Sequence, residues 1–543
     1  MCGIVGSVAK NTGRAVPEAL TRLAHRGPDG SGSFAQGRVW LGHRRLSIID
    51  LSTAATQPMT KPNCGVIAFN GEIYDHTEHR NVFELQGETF DTSSDTEVLL
   101  RGLARRGTSF LRDVHGMFAL AWLEPSGRRL WLARDHAGMK PLYLWRGSKG
   151  LAFASEVRAL APAIRALGGD VTLSGTGLAD FLSWGAVSEP LSILKDVEMV
   201  PADGAMMIDI DDVANPIFVA TDRVAHEASV SPGEGPTELV QRALRDAVRR
   251  HLVADTPVAL FLSGGIDSGV LAAELVRDVQ QPRAISVVLG SPDTNDEPDV
   301  VRRLTQKLGL SLELVQLDDW MSALTGAIGA YDQPSIDGLN TYLVAGVARK
   351  LGFKVALSGV GADEVFGGYD HLRRDLRWVD RLPCPGLMSR FVGRSLYASD
   401  AAPLRRLGML VEGASMKVPA HRAWRRLFPR EVVQRLLPST AYAAEAHPLC
   451  DDVLWFERET YLRNTLLRDT DVMGMAHGVE IRAPFLDPSV LAAGAAIGTG
   501  TLLQRGKPPK WVLRDAWSNV LDRRTLARRK TGFTLDLARW LNG

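Results

Sequence analysis

A cysteine directly follows the initiator methionine in Met1-Cys2-Gly3-Ile4-Val5-Gly6, and that position gives its thiol a particular chemistry. Removal of Met1 would leave a nucleophilic thiol and a free α-amino group on the same residue. A thiol with an ordinary pKa of about 8.5 is mostly protonated at neutral pH, whereas an α-amino group titrating near about 8 can take that proton directly or through a water. Such a residue needs no histidine partner. Standing alone, Met-Cys reads more simply as a small residue opening an edge strand; the residues that follow decide otherwise.

His25-Arg26-Gly27-Pro28-Asp29-Gly30, Arg44-Arg45-Leu46-Ser47-Ile48-Ile49-Asp50, Phe69-Asn70-Gly71-Glu72-Ile73-Tyr74 and Ser94-Asp95-Thr96-Glu97 come next. In order and spacing they resemble the glutaminase domain of class II, N-terminal-nucleophile amidotransferases. Each piece also has a physical task. An amide carbonyl attacked by a thiolate becomes an oxyanion, for which Asn70 supplies a side-chain N–H and Gly71 a backbone N–H. Arg45 suits the α-carboxylate of glutamine as a planar fork, and Glu72 and Asp95 suit its α-ammonium. Asn70-Gly71 also reads as a type I′ hairpin turn, and the two readings are compatible.

A second chemical centre begins at the apolar run Pro257 to Leu262, which enters Ser263-Gly264-Gly265-Ile266-Asp267-Ser268 and then an apolar helix pattern. A strand, a glycine turn and a helix start direct free backbone N–H groups and the helix dipole at one anion site. This is no Walker A loop: it has no lysine, and its aspartate suits Mg²⁺ rather than phosphate. Ser-Gly-Gly-x-Asp-Ser resembles the pyrophosphate-binding loop of ATP pyrophosphatases, which adenylate a carboxylate or similar oxygen. Val355-Ala356-Leu357 into Ser358-Gly359-Val360-Gly361-Ala362-Asp363-Glu364 repeats the theme. In open parallel sheets ligands lie beyond the carboxyl ends of the strands, so Asp267 and Asp363 are expected to converge on Mg²⁺.

With Asp469-Thr470-Asp471, Val479 to Asp487 and Gly506 to Arg514, these segments resemble the synthetase domain of glutamine-hydrolysing asparagine synthetases. Together with the glutaminase half, the resemblance covers nearly the whole chain. It implies that Cys2 releases ammonia from glutamine, with Asn70 and Gly71 as the oxyanion hole and Arg45, Glu72 and Asp95 as the glutamine site. It also implies that ATP binds at Phe261, Ser263, Gly264, Gly265, Asp267 and Ser268, with adenosine near Val288, Ser358 and Gly359, and Mg²⁺ at Asp267 and Asp363. Lys510 would stabilise the reacting oxygens. A carboxylate would be converted to an acyl-adenylate and pyrophosphate, and ammonia arriving by an internal tunnel would displace AMP. Aspartate is the acceptor the resemblance favours, yet two departures stand out. Val360 occupies the place of an acid in the family's Ser-Gly-Glu-Gly loop, and Asp337 lies in the segment where the family has a substrate-binding arginine. A different carboxylic acid is the alternative. A ring-closing lactam or isopeptide ligase would have no need of the glutaminase residues, and a scaffold without turnover no need of Cys2, Asp267, Asp363 and Lys510.

Elements must place these groups. The 543 residues are too many for one core, and 63 basic against 62 acidic residues gives no basic excess for nucleic acid. No apolar run reaches the roughly 18 residues of a membrane span and no signal-peptide pattern is present, so a cytoplasmic protein is expected. A homodimer is the assembly the resemblance allows. Four cysteines (Cys2, Cys64, Cys384, Cys450) without CxxC spacing give no metal or redox motif, and the loose metal-ligand spacing of His76 and His79 is read as no site.

Residues 1–210 are expected to form a glutaminase domain with strands at Cys2 to Val8, Val39 to Ile49, Val66 to Phe69, Met117 to Trp122 and Arg129 to Ala133. The resemblance makes this an α/β/β/α sandwich of the N-terminal-nucleophile hydrolase type. Residues 211–236 lose periodicity and read as a linker. Residues 237–543 are expected to hold a doubly wound parallel sheet of the ATP-pyrophosphatase type, with strands at Ala284 to Leu289 and Leu312 to Leu317 and helices at Thr237 to Leu252, Asp299 to Leu308 and Asn340 to Leu351. From about residue 370 the pattern becomes helical. The Arg/Leu-rich stretch from Leu404 to Leu436 reads as packing and solvated faces.

Overall fold

Alternating side chains layer the first half of the chain. A computed structural model describes residues 2–9, 16–221, 233–289, 297–317, 321–373, 386–397, 401–415, 420–437 and 452–528. In β1 (Gly3–Ala9), Ile4 and Val8 enter one core while Val5 and Ala9 enter another. β2 (Gly30–Gln36), β3 (Val39–Arg45), β4 (Met59–Lys61) and β5 (Gly65–Ile73) follow, and in β5 Val66 and Ala68 share the core of Ile4 while Ile67 and Phe69 face away. After β6 (Gly116–Leu123), β7 (Arg129–Arg134), β8 (Tyr143–Gly147), β9 (Gly150–Ala154), β10 (Val197–Met199), β11 (Gly204–Asp209) and β12 (Ile217–Ala220), two six-stranded antiparallel sheets are complete. Their orders are β10-β8-β9-β1-β3-β2 and β12-β11-β7-β6-β5-β4. The sheets meet through Ile4, Leu41, Ala68 and Leu132. Val157–Ala166 covers the outer face of the first through Leu160 and Ile164, and Asp95–Arg106 covers the second through Val98 and Leu99, which makes four layers, α/β/β/α.

The second half is built on parallel strands. β13 (Val258–Phe261), β14 (Arg283–Leu289), β15 (Ser311–Leu317), β16 (Val355–Leu357) and β17 (Glu480–Arg482) lie in the order β15-β14-β13-β16-β17. Leu260 and Leu357 pack toward the helices Pro236–His251 and Ile266–Asp278, while Ala259, Ile285 and Ala356 pack toward Leu339–Lys350. The order runs outward from β13 to β15 and then resumes on the other side at β16. The switch point therefore lies between β13 and β16, and a crevice opens at their carboxyl ends.

Several elements differ from the sequence expectation. The strand expected from Val39 to Ile49 stops at Arg45, whose guanidinium bonds the carbonyls of Ile49, Asp50 and Ser52 and turns the chain back. Asn70-Gly71 is no hairpin turn: both lie inside β5, paired with Ala119 and Phe118, and a Cβ on Gly71 would stand 2.1 Å from Met117 O. Ile217–Ala220, inside the expected linker, pairs with β11 as an edge strand. β17 lies in the stretch expected to be helical, and its three residues are too few to give a period. Cys384 and Cys450 lie outside the described residues. Among the described residues no helix is long and apolar enough to cross a membrane.

Candidate active sites

At the first centre, the packing of the two sheets face to face brings Cys2, just before β1, and Asn70, in β5, together across 68 residues of chain. The Cys2 nitrogen donates to Asn70 Oδ1 at 2.9 Å, and Arg26 Nε donates to Cys2 O at 2.9 Å. Both residues are buried, and Asn70 Nδ2 has no hydrogen-bond partner among the described residues. Tyr74 N–H bonds His115 O while Ile73 N–H bonds Asp95 Oδ2, so by antiparallel alternation the Gly71 N–H also faces away from β6. Two donors on consecutive residues beside a thiol are what an oxyanion needs. Burial pushes the Cys2 thiol above its ordinary value.

Three carboxyl groups, of Glu72, Asp95 and Glu480, gather near this thiol and act on one another. Burial, then the charges of Glu480 and Asp95, push the Glu72 carboxyl well up, and burial pushes Asp95 up as well. A ligand ammonium placed there would relieve both. Glu480 belongs to β17 of the other half and pairs with Arg482 at 2.5 Å. Arg45 is present at the site, with much of its donor fork already engaged by the carbonyls of Ile49, Asp50 and Ser52.

The second centre sits in the crevice between β13 and β16. Phe261 ends β13, and Ser263 N–H and Oγ each lie 3.2 Å from Ser268 Oγ, which closes the loop over the start of the helix Ile266–Asp278. Gly264 has φ +67°, and a Cβ on Gly359 would come 2.9 Å from Asp267 Cβ, so glycine allows the two loops to touch. Ser358 N–H bonds Arg482 O at 2.8 Å. Val288 lies on β14 three positions beyond Ile285, the partner of Phe261, and so stands past the end of β13.

Lys510, 243 residues after Asp267, comes to this point from the far end of the chain. Its Nζ lies 2.6 Å from Asp267 and 2.6 Å from Asp363. Burial opposes its charge, but the two carboxylates outweigh this and hold the ammonium above its ordinary pKa. Its backbone is left-handed at φ 54°, a strain of roughly 1–2 kcal/mol for a residue with a Cβ. Gly368 makes room, since a Cβ there would lie 1.7 Å from Asp363 Oδ1. Two hard carboxylate oxygen groups converging beside an anion-binding loop form a donor set suited to a divalent cation.

One apolar core joins the centres: Leu46, Ile48, Tyr74, Met117 and Met139 from the first half pack with Leu486, Phe485 and Ala483 from the second, and Val360 packs on the same core. Polar bonds also cross it. Arg26, bound to Cys2 O, reaches Asp471 at 2.8 Å, and His136 Nε2 bonds Leu486 O at 2.8 Å. Sequence reasoning assigned no role to Arg26, Glu480 or Arg482. All three stood inside quoted motifs, but nothing local marks Glu480 and Arg482 as neighbours of Cys2.

Residues 1–218 match the family described as glutamine amidotransferase domain, and residues 239–543 match the family described as asparagine synthase. A Mycobacterium tuberculosis protein provisionally named a glutamine-hydrolysing asparagine synthetase is 32% identical, covering 100% of this chain and 88% of its own length. The Bacillus subtilis glutamine-hydrolysing asparagine synthetase 1 is 29% identical over 100% of this chain and 88% of its own. Asparagine synthetase B of Escherichia coli is 32% identical over 64% of this chain and 60% of its own.

Proposed function

The chain belongs to the asparagine synthase family and carries a glutamine amidotransferase domain, a glutamine-hydrolysing carbon–nitrogen ligase, and from that premise we propose that it amidates a carboxylic acid with glutamine as nitrogen donor and ATP cleaved to AMP and pyrophosphate. The observation that carries this reading is the meeting of Lys510 with Asp267 and Asp363 in the crevice at the strand ends.

In the first half-reaction the Cys2 thiolate attacks the glutamine side-chain carbonyl, while Asn70 Nδ2 and the Gly71 N–H donate to the oxyanion. The Cys2 α-amino group, which took the thiol proton, returns it to the departing nitrogen as the C–N bond breaks and ammonia leaves, and water then hydrolyses the thioester to glutamate. Glu72 and Asp95 receive the substrate ammonium, and Arg45 its carboxylate. In the second, an acceptor carboxylate oxygen attacks the α-phosphorus of ATP, the bond to the β-phosphate oxygen breaks, and pyrophosphate departs. Ammonia then attacks the acyl carbon, the bond to AMP breaks, and one proton is lost. The Ser263–Ser268 loop and helix start hold the phosphates, and Val288, Ser358 and Gly359 border the nucleoside. Asp267 and Asp363 would hold Mg²⁺, which when bound screens the phosphate charge. Lys510 exchanges its carboxylate partners for reacting oxygens. The apolar core between the centres is the route by which ammonia crosses unprotonated.

Aspartate is the reference acceptor, and Val360 and Asp337 favour a second reading with another carboxylic acid. Pyrophosphate release that requires ATP, an acid and either glutamine or ammonium is the expected result. ADP and phosphate as products would defeat the loop assignment, as would an Asp267→Asn or Asp363→Asn variant that still released pyrophosphate at the wild-type rate. A Val360→Glu variant that leaves efficient aspartate turnover unimproved would show that the loop departure does not matter.

A further inference from the structure

Arg514 stands one helical turn beyond Lys510, and its N–H bonds Lys510 O at 3.1 Å as the helix Trp511–Ala516 begins. Its half-buried side chain is held by main-chain oxygens: Nε donates to Pro509 O at 2.7 Å and Nη2 to Arg528 O at 3.3 Å. Among the described residues it forms no ion pair, and its Nη1 makes no hydrogen bond. The acid next to it in the chain, Asp515, is turned to Lys507 at 3.8 Å. Burial lowers the pKa of Arg514, and the charge of Asp267, which reaches it from the phosphate loop, only partly offsets this. Arg373 clamps the other side of the same turn through the carbonyls of Leu502, Lys507 and Pro508.

The chain that holds Arg514 lies on the phosphate loop. Trp517 Nε1 donates at 2.8 Å to Glu274 Oε1, on the helix Ile266–Asp278 that the loop starts. A Cβ on Gly269, in the first turn of that helix, would meet Thr525 at 3.4 Å and Leu521 at 3.5 Å, so glycine lets the two segments close together. Arg528, whose carbonyl takes Arg514 Nη2, brings its own Nη1 to 2.9 Å from a Cβ placed on Gly264. Arg514 is thus fastened on one side to the residue before Lys510 and on the other to a residue that touches the loop.

We propose that Arg514 is the second cation of the phosphate site and that its Nη1 binds the departing pyrophosphate, which leaves Lys510 to the reacting oxygens. The assignment rests on the adenylation reading above. Lys510 faces two carboxylates, so these three groups together carry net negative charge and by themselves repel a polyphosphate. The Ser263–Ser268 loop and helix start offer N–H dipoles, and Arg514 adds a full charge beside them. A guanidinium already fixed by two carbonyls needs little ordering when the anion arrives, and its remaining N–H groups suit phosphate oxygens.

The test uses the full-length protein and its Arg514→Gln and Arg514→Lys variants, with inorganic pyrophosphate, ATP and AMP as probes in Mg²⁺ buffer. Calorimetry reads binding, while glutamine hydrolysis and the melting temperature without nucleotide report on the fold. Arg514→Gln is expected to weaken pyrophosphate and ATP binding roughly ten- to a hundredfold, the worth of one charge-assisted bond, and to leave AMP binding within about threefold. Arg514→Lys keeps the charge and should recover part of the pyrophosphate affinity. Equal losses for AMP and pyrophosphate, with no recovery in Arg514→Lys, would reduce Arg514 to a clamp on the turn before Lys510. Pyrophosphate bound by Arg514→Gln as tightly as by the wild type would overturn the assignment while leaving adenylation standing. ATP cleaved by the wild type to ADP and phosphate, with no pyrophosphate bound by any of the three proteins, would overturn adenylation and the assignment together.

Discussion

Asn70 accepts from the Cys2 nitrogen through its side-chain oxygen, and this leaves its buried NH2 group as a donor without a partner among the described residues. Asn70→Ala is therefore expected to lower glutamine hydrolysis roughly 10²- to 10³-fold, about 3–4 kcal/mol, with less effect on the ammonium reaction. An unchanged rate of glutamate release would reduce Asn70 to a structural bond. Cys2→Ala should abolish glutamine-dependent synthesis while ammonium-dependent synthesis persists, because the thiol and Lys510 serve separate centres. Loss of both activities in a folded variant would refute the two-centre reading. Since burial raises the Cys2 thiol pKa, fewer thiolates exist at neutral pH than for a free cysteine, and glutamine hydrolysis should accelerate as pH rises above 7. A rate that falls from neutral to mildly alkaline pH would contradict that sign.

Between elements, the docking of the two halves depends on a helix end. The helix Val157–Ala166 has no side-chain cap of its own; Asp332 of the second half accepts from Val157 N at 2.6 Å and Arg158 N at 2.9 Å. Burial, then the charge of Glu156, push its carboxyl up to about 6, so at neutral pH it is still mainly the anion the helix terminus favours. Asp332→Ala should cost about 1–2 kcal/mol, seen as a lower melting temperature, and should release glutamate in excess of pyrophosphate as the halves loosen. Tight coupling at an unchanged melting temperature would argue against a docking role. Strand periodicity was legible at this scale for β1, β6 and β7, but not for β2, whose Gly-Ser-Gly-Ser start carries little apolar pattern, nor for the end of β3, which Arg45 decides by bonding carbonyls ahead of it.

Across the whole molecule, buried ionisable groups set the response to acid. Burial pushes His43 down to about 3 and His251 down to about 4. Below pH about 6.5 the unfolded chain protonates these histidines and the folded chain does not, so each removes stability at roughly 1.4 kcal/mol per pH unit. Opposing them, burial holds Asp180, Asp332 and Asp469 up at about 6, so they bind protons first in the folded state and add stability as pH falls from about 6 to 4. Asp75 and Glu156, held at about 2 by their histidine and arginine partners in spite of burial, lose their contribution only below about pH 4. The melting temperature should dip slightly between pH 6.5 and 6, rise to about pH 4 because three acids outweigh two histidines by about 1.4 kcal/mol per pH unit, and then fall steeply. A steady fall between pH 6 and 4 that outpaces the loss below 4 would refute this balance.

The loop Ser263–Ser268, its companion at Ser358–Asp363, the cysteine start and the glutaminase motifs were readable in the residues themselves, because each needs a fixed chemistry at short spacing on one turn or strand. The alternation of strands and helices likewise implied a parallel sheet in the second half, whereas the sandwich of the first half followed from the family resemblance and not from spacing. Contacts between distant segments carry no local period, and the fold alone decides them. The packing of one sheet on the other put Asn70 beside Cys2, and strand register made Asn70-Gly71 part of a strand rather than a turn. The switch between β13 and β16 brought Lys510 to Asp267 and Asp363. The packing of helices against Trp184 turned an arginine-rich stretch that reads as solvated surface into a cavity wall, since a charge pattern along one helix does not report which neighbour covers it.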